Sequence, residues 1–284
     1  TRLGHSATRN FLLAGWFALV VVVLGVAALV ERNRLLAEFS DQVAILHRQL
    51  SQRVDQHDAH LTALSAVAMT EGDSGTEVFR QVAETIVRFY PRITAVHMVA
   101  LADGKALSTR PGARDDRNQA IRNAALASEG TLVLLPAPGA AGSYLLVKRS
   151  PNTDRAKNGI ALEIDGMGLF EGEPDFLAQA SVDLSLLLPD GTPLMGGQPT
   201  GNPQFEKELG SQSQPLLLQA NFAPDLAEIL PPGRTVAVVA LATLVYLALI
   251  LGLGQYARAR RAERQAYFSA QDARLAHASR VDVL

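Results

Sequence analysis

Residues 11–30 and 235–254 are two runs, each 20 residues long, that contain no Asp, Glu, Lys or Arg. At about 1.5 Å of rise per residue, a helix of that length matches the roughly 30 Å hydrocarbon core of a bilayer. A soluble helix of the same length normally carries a polar stripe, and neither run has one. About two hundred residues of ordinary globular composition lie between the runs, and thirty polar, helix-prone residues follow the second. This spacing divides the chain into a short leading segment (1–10), a first span (11–30), a large domain (31–233), a second span (234–254) and a trailing helix (255–284).

The first run is too long for the ~7–15-residue apolar core of a cleaved signal, so an uncleaved anchor is expected. Arg2 and Arg9 precede it, and Arg258, Arg260, Arg261 and Arg264 follow the second run. At the opposite ends stand only Arg32, Arg34 and Arg234, diluted by Glu31. By the positive-inside rule both termini are cytoplasmic and the large domain is on the far side of the membrane. The net charge of −2 implies no attraction to nucleic acid, and with no cysteine neither a disulfide framework nor a thiolate metal site is available.

After the first span the pattern becomes amphipathic. Phe39, Val43, Leu46, Leu50, Val54, His57, Leu61, Leu64 and Ala68 recur at spacings of three and four, as in a helical stalk that meets its own domain, a twin stalk, or both. His57 and His60 share a face, with His47 nearby, but no third ligand is evident and no metal site is assigned. A second helix capped by Thr76 is predicted, with Val78, Phe79, Val82, Ile86 and Phe89 as its buried stripe and Pro91 as its stop. Strands follow at 93–102, 105–109, 131–135, 143–149, 158–165, 182–188, 193–195 and 211–222, with helices at 114–128 and 175–180. Helices first and an antiparallel meander afterwards make an α+β domain. Residues 95–107 and 181–194 both read strand, Asp-Gly turn, strand, which is compatible with a duplicated unit.

Residues 77–101 (EVFRQVAETIVRFYPRITAVHMVAL), 142–151 (GSYLLVKRSP) and 158–170 (NGIALEIDGMGLF) resemble the extracytoplasmic CHASE-type, PAS-like sensor domains. That resemblance implies a long helix plus antiparallel sheet between two transmembrane helices, recognising a small molecule and often dimeric. The closing residues 274–284 (RLAHASRVDVL) resemble the lead-in to the phosphoacceptor helix of bacterial sensor histidine kinases. This implies a bacterial inner-membrane homodimer whose missing kinase module uses ATP and Mg²⁺ and passes phosphate to a response regulator. The chain itself carries no catalytic residues on this reading, because none of its histidines has the family's following Glu or Asp and Pro. The Asp-Gly-Met-Gly run at 165–168 lies on the wrong side of the membrane to be a nucleotide loop. A receptor feeding a cyclic-dinucleotide enzyme, a chemoreceptor, or an anchored binding scaffold is the alternative.

Polar residues set into apolar strands are the candidate ligand contacts. His97 shares a strand face with Ala95 and Val99, Lys148 shares one with Tyr144, and Glu163 and Asp165 share one with Ala161. Tyr90 and Arg92 mark the junction between helix and strand. A basic residue and a tyrosine facing one cavity suit a carboxylate or other anion. The plainer alternative makes Lys148, Arg149 and Glu163 edge charges and His97 a packed core residue.

Overall fold

The structure is a computed structural model that describes residues 2–70, 73–110, 112, 115–172, 176, 178–197 and 202–281. The chain divides into two compact units, Thr1–Leu35 with Asp225–Leu284, and Leu36–Pro224.

The first unit contains the apolar stretches of two long helices, α1 (Arg2–Ala68) and a closing helix (Pro232–Val281). Both are long and apolar enough to cross a membrane, and their large side chains, among them Phe11, Phe17, Leu29, Val236, Leu244 and Leu251, face outward. The helices touch through specific polar contacts. Trp16 Nε1 donates to Thr243 Oγ1 at 3.0 Å, and the Tyr246 hydroxyl donates to the Leu12 carbonyl. Gly15 permits this approach, since a Cβ there would lie 3.1 Å from the Tyr246 hydroxyl. Glu31 closes the pair, meeting Arg234 at 2.6 Å and Arg34 at 3.5 Å.

The second unit is built on the remainder of α1. Its predicted stripe is the buried one: Phe39, Val43, Leu46, Leu50, Val54, His57, Leu61 and Leu64 are buried, and only Ala68 at its end is half-buried. Helix α2 (Asp73–Phe89) begins three residues before Thr76 and buries Phe79, Ala83 and Ile86, while Val78 and Phe89 are exposed. The i, i+4, i+7 spacing of the buried set rotates the helix away from the expected stripe.

Among the described residues the strands form two antiparallel sheets. The first contains β1 (Ile93–Ala100), β2 (Ala106–Ser108), β3 (Val133–Pro136), β4 (Ser143–Ser150) and β5 (Asn158–Asp165), in the order β2-β1-β5-β4-β3. Helix α3 (Asp115–Ala127) covers one face, where Ile121 and Ala125 pack on Val99, Leu145, Val147 and Ala161. Ser150 and Lys148, on the other face of β4, bond to Ser65 and Thr62 of α1. The second sheet contains β6 (Val182–Leu187), β7 (Pro193–Met195), β8 (Phe205–Glu208) and β9 (Leu217–Phe222), in the order β7-β6-β9-β8. Phe39 of α1 stacks on Phe222 at 5.2 Å and on Phe176 at 6.4 Å. A four-residue helix α4 (Leu226–Ile229), with a capping box between Asp225 and Glu228, precedes the closing helix α5.

The two similar segments noted above occupy matching places. Each forms an inner strand and, after the turn, the edge strand of its own sheet: β1 and β2 in the first, β6 and β7 in the second. The predicted strand at 211–222 is shorter, and Phe205–Glu208 forms an additional edge strand against β9. Residues 208–214 instead run along α1. Glu208 and Gly210 meet His47 and Ser51, and Ser213 and Gln214 meet Asp58 and Val54. Of the helix expected at 175–180, residues 175 and 177 lie outside the described residues, and 178–180 are turn and irregular backbone, not helix.

Contact between α3 and β5 depends on Gly159, where a Cβ would stand 2.8 Å from Ala125 Cβ and 3.4 Å from Ile121 Cγ2. Gly159→Val is therefore expected to overpack this face and cost about 1–3 kcal/mol, read as a lower denaturant midpoint. An unchanged midpoint would mean that α3 does not sit this close.

Candidate functional site

The α3-facing side of the first sheet buries a carboxylate. Glu163 on β5 lies opposite Ala95 of β1 and Leu145 of β4, and its side chain is fully buried. Its short neighbour Ala95 leaves space for His97, two residues further along β1 on the same face. His97 Nε2 lies 3.2 Å from Glu163 Oε2. Arg117 from α3 reaches the same oxygen through Nη1 at 3.1 Å, and Arg110 from the segment after β2 reaches Oε1 through Nη1 at 2.6 Å. Arg117 Nη2 also donates to the Pro138 carbonyl at 3.3 Å. Strand, hairpin and helix therefore converge on one acidic group.

The electrostatics follow from this geometry. Burial alone would raise the Glu163 pKa, but the His97 hydrogen bond and the Arg117 and Arg110 charges outweigh it and hold the carboxyl below its usual range. Two guanidiniums meet one carboxylate here, leaving a positive surplus. His97 and Arg117 are almost completely buried, whereas the Arg110 side chain is 40% exposed and opens the cluster to solvent.

The opposite face of the same sheet carries a different network. Tyr144 on β4 donates its hydroxyl to Gln214 Oε1 at 3.0 Å, and His57 Nδ1 meets the same oxygen at 3.1 Å. Arg92 Nε donates to His57 Nε2 at 3.2 Å, and Arg92 Nη2 donates to Gln56. The Arg92 guanidinium also lies over the Tyr90 ring, which packs on the His60 ring at 4.3 Å. Gln214 donates to the Val54 carbonyl at 2.7 Å. Tyr144, His57, Arg92 and Gln214 bond to one another and to α1, whereas His60 Nε2 is buried without a hydrogen-bond partner. Further along this face, Met98, Ser150 and Asn158 line an open cavity of about 550 Å³ with Ala68, Thr70 and Thr76.

The sequence-derived candidates thus separate. His97 belongs with Glu163. Tyr144, Arg92 and Tyr90 belong to the α1-facing network, and Lys148 donates to Thr62 Oγ1 at 3.2 Å on that same side. Asp165 accepts from the Met167 backbone N–H at 3.2 Å, a local turn contact at the end of β5. A single site built from all six residues does not form, because alternation along β4 and β1 sends Tyr144 and His97 to opposite faces. Arg110 and Arg117 were not among the candidates. Arg117 could have been found, since Arg117, Ile121 and Ala125 recur at i, i+4 and i+8 and place a cation in a buried stripe. Arg110, in a Thr-Arg-Pro-Gly loop, gives no such signal.

No protein-family model matches the chain, and no curated protein matches its sequence. Among solved structures, it is similar to the ligand-binding domain of the Pseudomonas aeruginosa PAO1 amino acid chemoreceptor PctB in complex with L-Arg. That likeness has a TM-score of 0.54 at 12% identity and covers 74% of this chain and 98% of that one. The ligand-binding domain of the Pseudomonas fluorescens chemoreceptor CtaA, in complex with L-isoleucine, matches with a TM-score of 0.48 at 12% identity, over 69% of this chain and 97% of that one. At such identity the PctB likeness is one of fold. The chain carries the fold of a bacterial chemoreceptor ligand-binding domain, together with two helices apolar enough to cross a membrane.

Proposed function

We propose that this chain is the sensory and membrane-spanning part of a receptor whose extracytoplasmic domain binds a small molecule at the Glu163 cluster. The observation that carries this reading is the convergence of Arg110, Arg117 and His97 on one buried carboxylate, with Arg110 reaching solvent. A surplus cation beneath a solvent-facing arginine suits an anionic ligand. The output is that of a two-component sensor histidine kinase with a CHASE-type sensor. Ligand binding controls autophosphorylation from ATP and Mg²⁺ in a following module and phosphotransfer to a response regulator. The resemblance of residues 274–284 to a phosphoacceptor lead-in supports this output. The receptor acts as a homodimer in the bacterial inner membrane, with both termini cytoplasmic. The placement of Glu31 against Arg34 and Arg234 supports that orientation, because it neutralises cations at the far ends of the spans.

A reporter active only in the periplasm should work when fused at Gly139 and fail when fused after Leu284. Activity at the second position would mean an odd number of crossings and would overturn the topology. A chemoreceptor is the second reading, favoured by the fold shared with the PctB domain. The two separate by phosphorylation of the gene product that contains these residues. Acid-labile phosphate taken from γ-labelled ATP in the presence of Mg²⁺ belongs to the kinase, and its absence to the chemoreceptor.

A further inference from the structure

The far ends of the two spans enclose a groove of about 370 Å³, whose lining includes Ala27, Val30 and Glu31 of α1, Ile229 of α4, and Arg234 and Val238 of α5. The lining changes character with depth. The charge-free runs end at residue 30 and begin again at 235, so Glu31 and Arg234 are the first charged groups past the hydrocarbon core. Ala27 and Val238 each lie about one helical turn inward of them, at the level of the acyl chains. The two charged groups meet each other, Arg234 Nη1 lying 2.6 Å from Glu31 Oε1, and Arg34 Nη1 approaches the same oxygen at 3.5 Å. Glu31 Oε2 has no partner among the described residues, and neither do Nε and Nη2 of Arg234, whose side chain is 56% exposed. One cavity thus has a carboxylate and a guanidinium at headgroup level and an apolar slot beneath them.

Resting on the membrane-spanning reading above, we propose that this groove holds one phospholipid whose headgroup carries both a phosphodiester and a primary ammonium, as in phosphatidylethanolamine. The lipid phosphate accepts from Arg234, its ammonium donates to Glu31, and part of an acyl chain lies along Ala27, Val30 and Val238. Depth favours this class, because a cavity that is apolar at one level and charged at the next fits an amphiphile. A small polar solute would leave the slot unfilled. Charge agrees. Glu31 and Arg234 sum to zero, so a headgroup with one charge of each sign answers both. Phosphatidylglycerol brings the phosphate but no cation for Glu31. Phosphatidylcholine brings a cation whose methyl groups leave it no N–H to donate. Losing that one charge-assisted hydrogen bond is expected to weaken binding about tenfold.

The test titrates the whole 284-residue chain, held in a neutral detergent, with three lipids that share dioleoyl chains: phosphatidylethanolamine, phosphatidylglycerol and phosphatidylcholine. Native mass spectrometry counts the lipid retained on each chain. The expected result is one phosphatidylethanolamine per chain, bound about tenfold more tightly than phosphatidylcholine and more tightly than phosphatidylglycerol. Glu31→Gln should abolish the preference for ethanolamine over choline, and Arg234→Gln should weaken all three lipids. Ala27→Phe, which fills the slot and leaves both charges in place, should also weaken all three. The three lipids on the natural chain decide the matter even if Glu31→Gln fails to fold. Equal binding of the ethanolamine and choline lipids would overturn the proposal, as would a preference that persists in Glu31→Gln or binding unaltered in Arg234→Gln. A dimer that retains no lipid, and that Ala27→Phe dissociates, would give the groove to a second copy of the chain instead. A chain that stays soluble without detergent or lipid would overturn the membrane-spanning reading itself, a different failure from equal binding.

Discussion

Lowering the pH from 7 to 4 is expected to destabilise the Leu36–Pro224 unit, and His57→Gln to remove most of that loss. His57 is fully buried in α1. Arg92 can only donate, so His57 Nε2 accepts from it and Nδ1–H donates to Gln214 Oε1. Burial, opposed by the Gln214 bond and reinforced by the nearby charges of Arg92 and His60, lowers the His57 pKa to about 3. An unfolded chain titrates this histidine near 6.5. Between these values the unfolded state binds a proton that the folded state refuses, so stability rises with pH across the window. It is lost progressively as pH falls below 6.5. The full effect is on the order of 5 kcal/mol, about 2 kcal/mol of it reached near pH 5. His60 is shifted in the same direction by its own burial and by Arg92, so it adds to the loss with the same sign. Glutamine retains one donor and one acceptor and does not titrate. Urea midpoints measured from pH 8 to 4 should slope steeply for the natural chain and less for the variant, which keeps only the His60 contribution, until the carboxylates titrate. Parallel curves would show that His57 is not the group responsible.

The same residue shows what was legible in the sequence and what was not. His57 stands at a buried position of the α1 stripe, and spacing alone placed it there. Its partners are another matter, because Gln214 and Arg92 come from segments 157 and 35 residues away. Periodicity records which face of an element is buried, and it carries no information about which distant polar group completes it. Strands β1, β4 and β5 were readable because they are apolar, β-branched and bounded by turn residues. Strand β8 was not, since Glu206, Lys207 and Glu208 are exposed on an edge and read as loop. The long strand expected at 211–222 failed for the opposite reason. Leu216 and Leu218 are buried as a strand would have them, but Ser213 and Gln214 ahead of them are held by α1.

For the candidate site, sequence marked half of each pair. His97 and Glu163 stood out as polar residues in apolar strands, and strand alternation put them on faces that the register then joined. Arg110 and Arg117 lie 53 and 46 residues before Glu163, and only the packing of α3 and the β2 hairpin onto the sheet brings them to it. The candidates at Tyr144, Lys148, Tyr90 and Arg92 occupy buried or half-buried positions. What they build, however, is a seam between α1 and the sheets on the far side from Glu163.

Glu163→Leu should be among the most damaging single substitutions in this unit, and Arg117→Met should rescue much of the damage. Removing the carboxylate leaves Arg117 as a buried cation without its counterion, a change that typically costs about 3–5 kcal/mol. Arg110, being half-exposed, can turn to solvent and contributes little to that cost. Replacing the buried pair together by apolar side chains of similar size is often close to neutral, because the desolvation of two charges disappears along with their attraction. The double variant should therefore be more stable than Glu163→Leu alone, with a coupling of about 2 kcal/mol or more between the two sites. The pH dependence supplies a second signature with a definite sign. The folded Glu163 pKa lies below the ordinary carboxylate value, so its contribution is present above the unfolded pKa and is lost as pH falls through the folded one. That loss belongs to the acid side of the His57 window, and Glu163→Leu should abolish it while leaving the slope between pH 6.5 and 5 intact. Additive single-site costs, or a Glu163→Leu cost below about 1 kcal/mol, would mean that the carboxylate does not neutralise Arg117. The ligand site built on their meeting would then have to be abandoned.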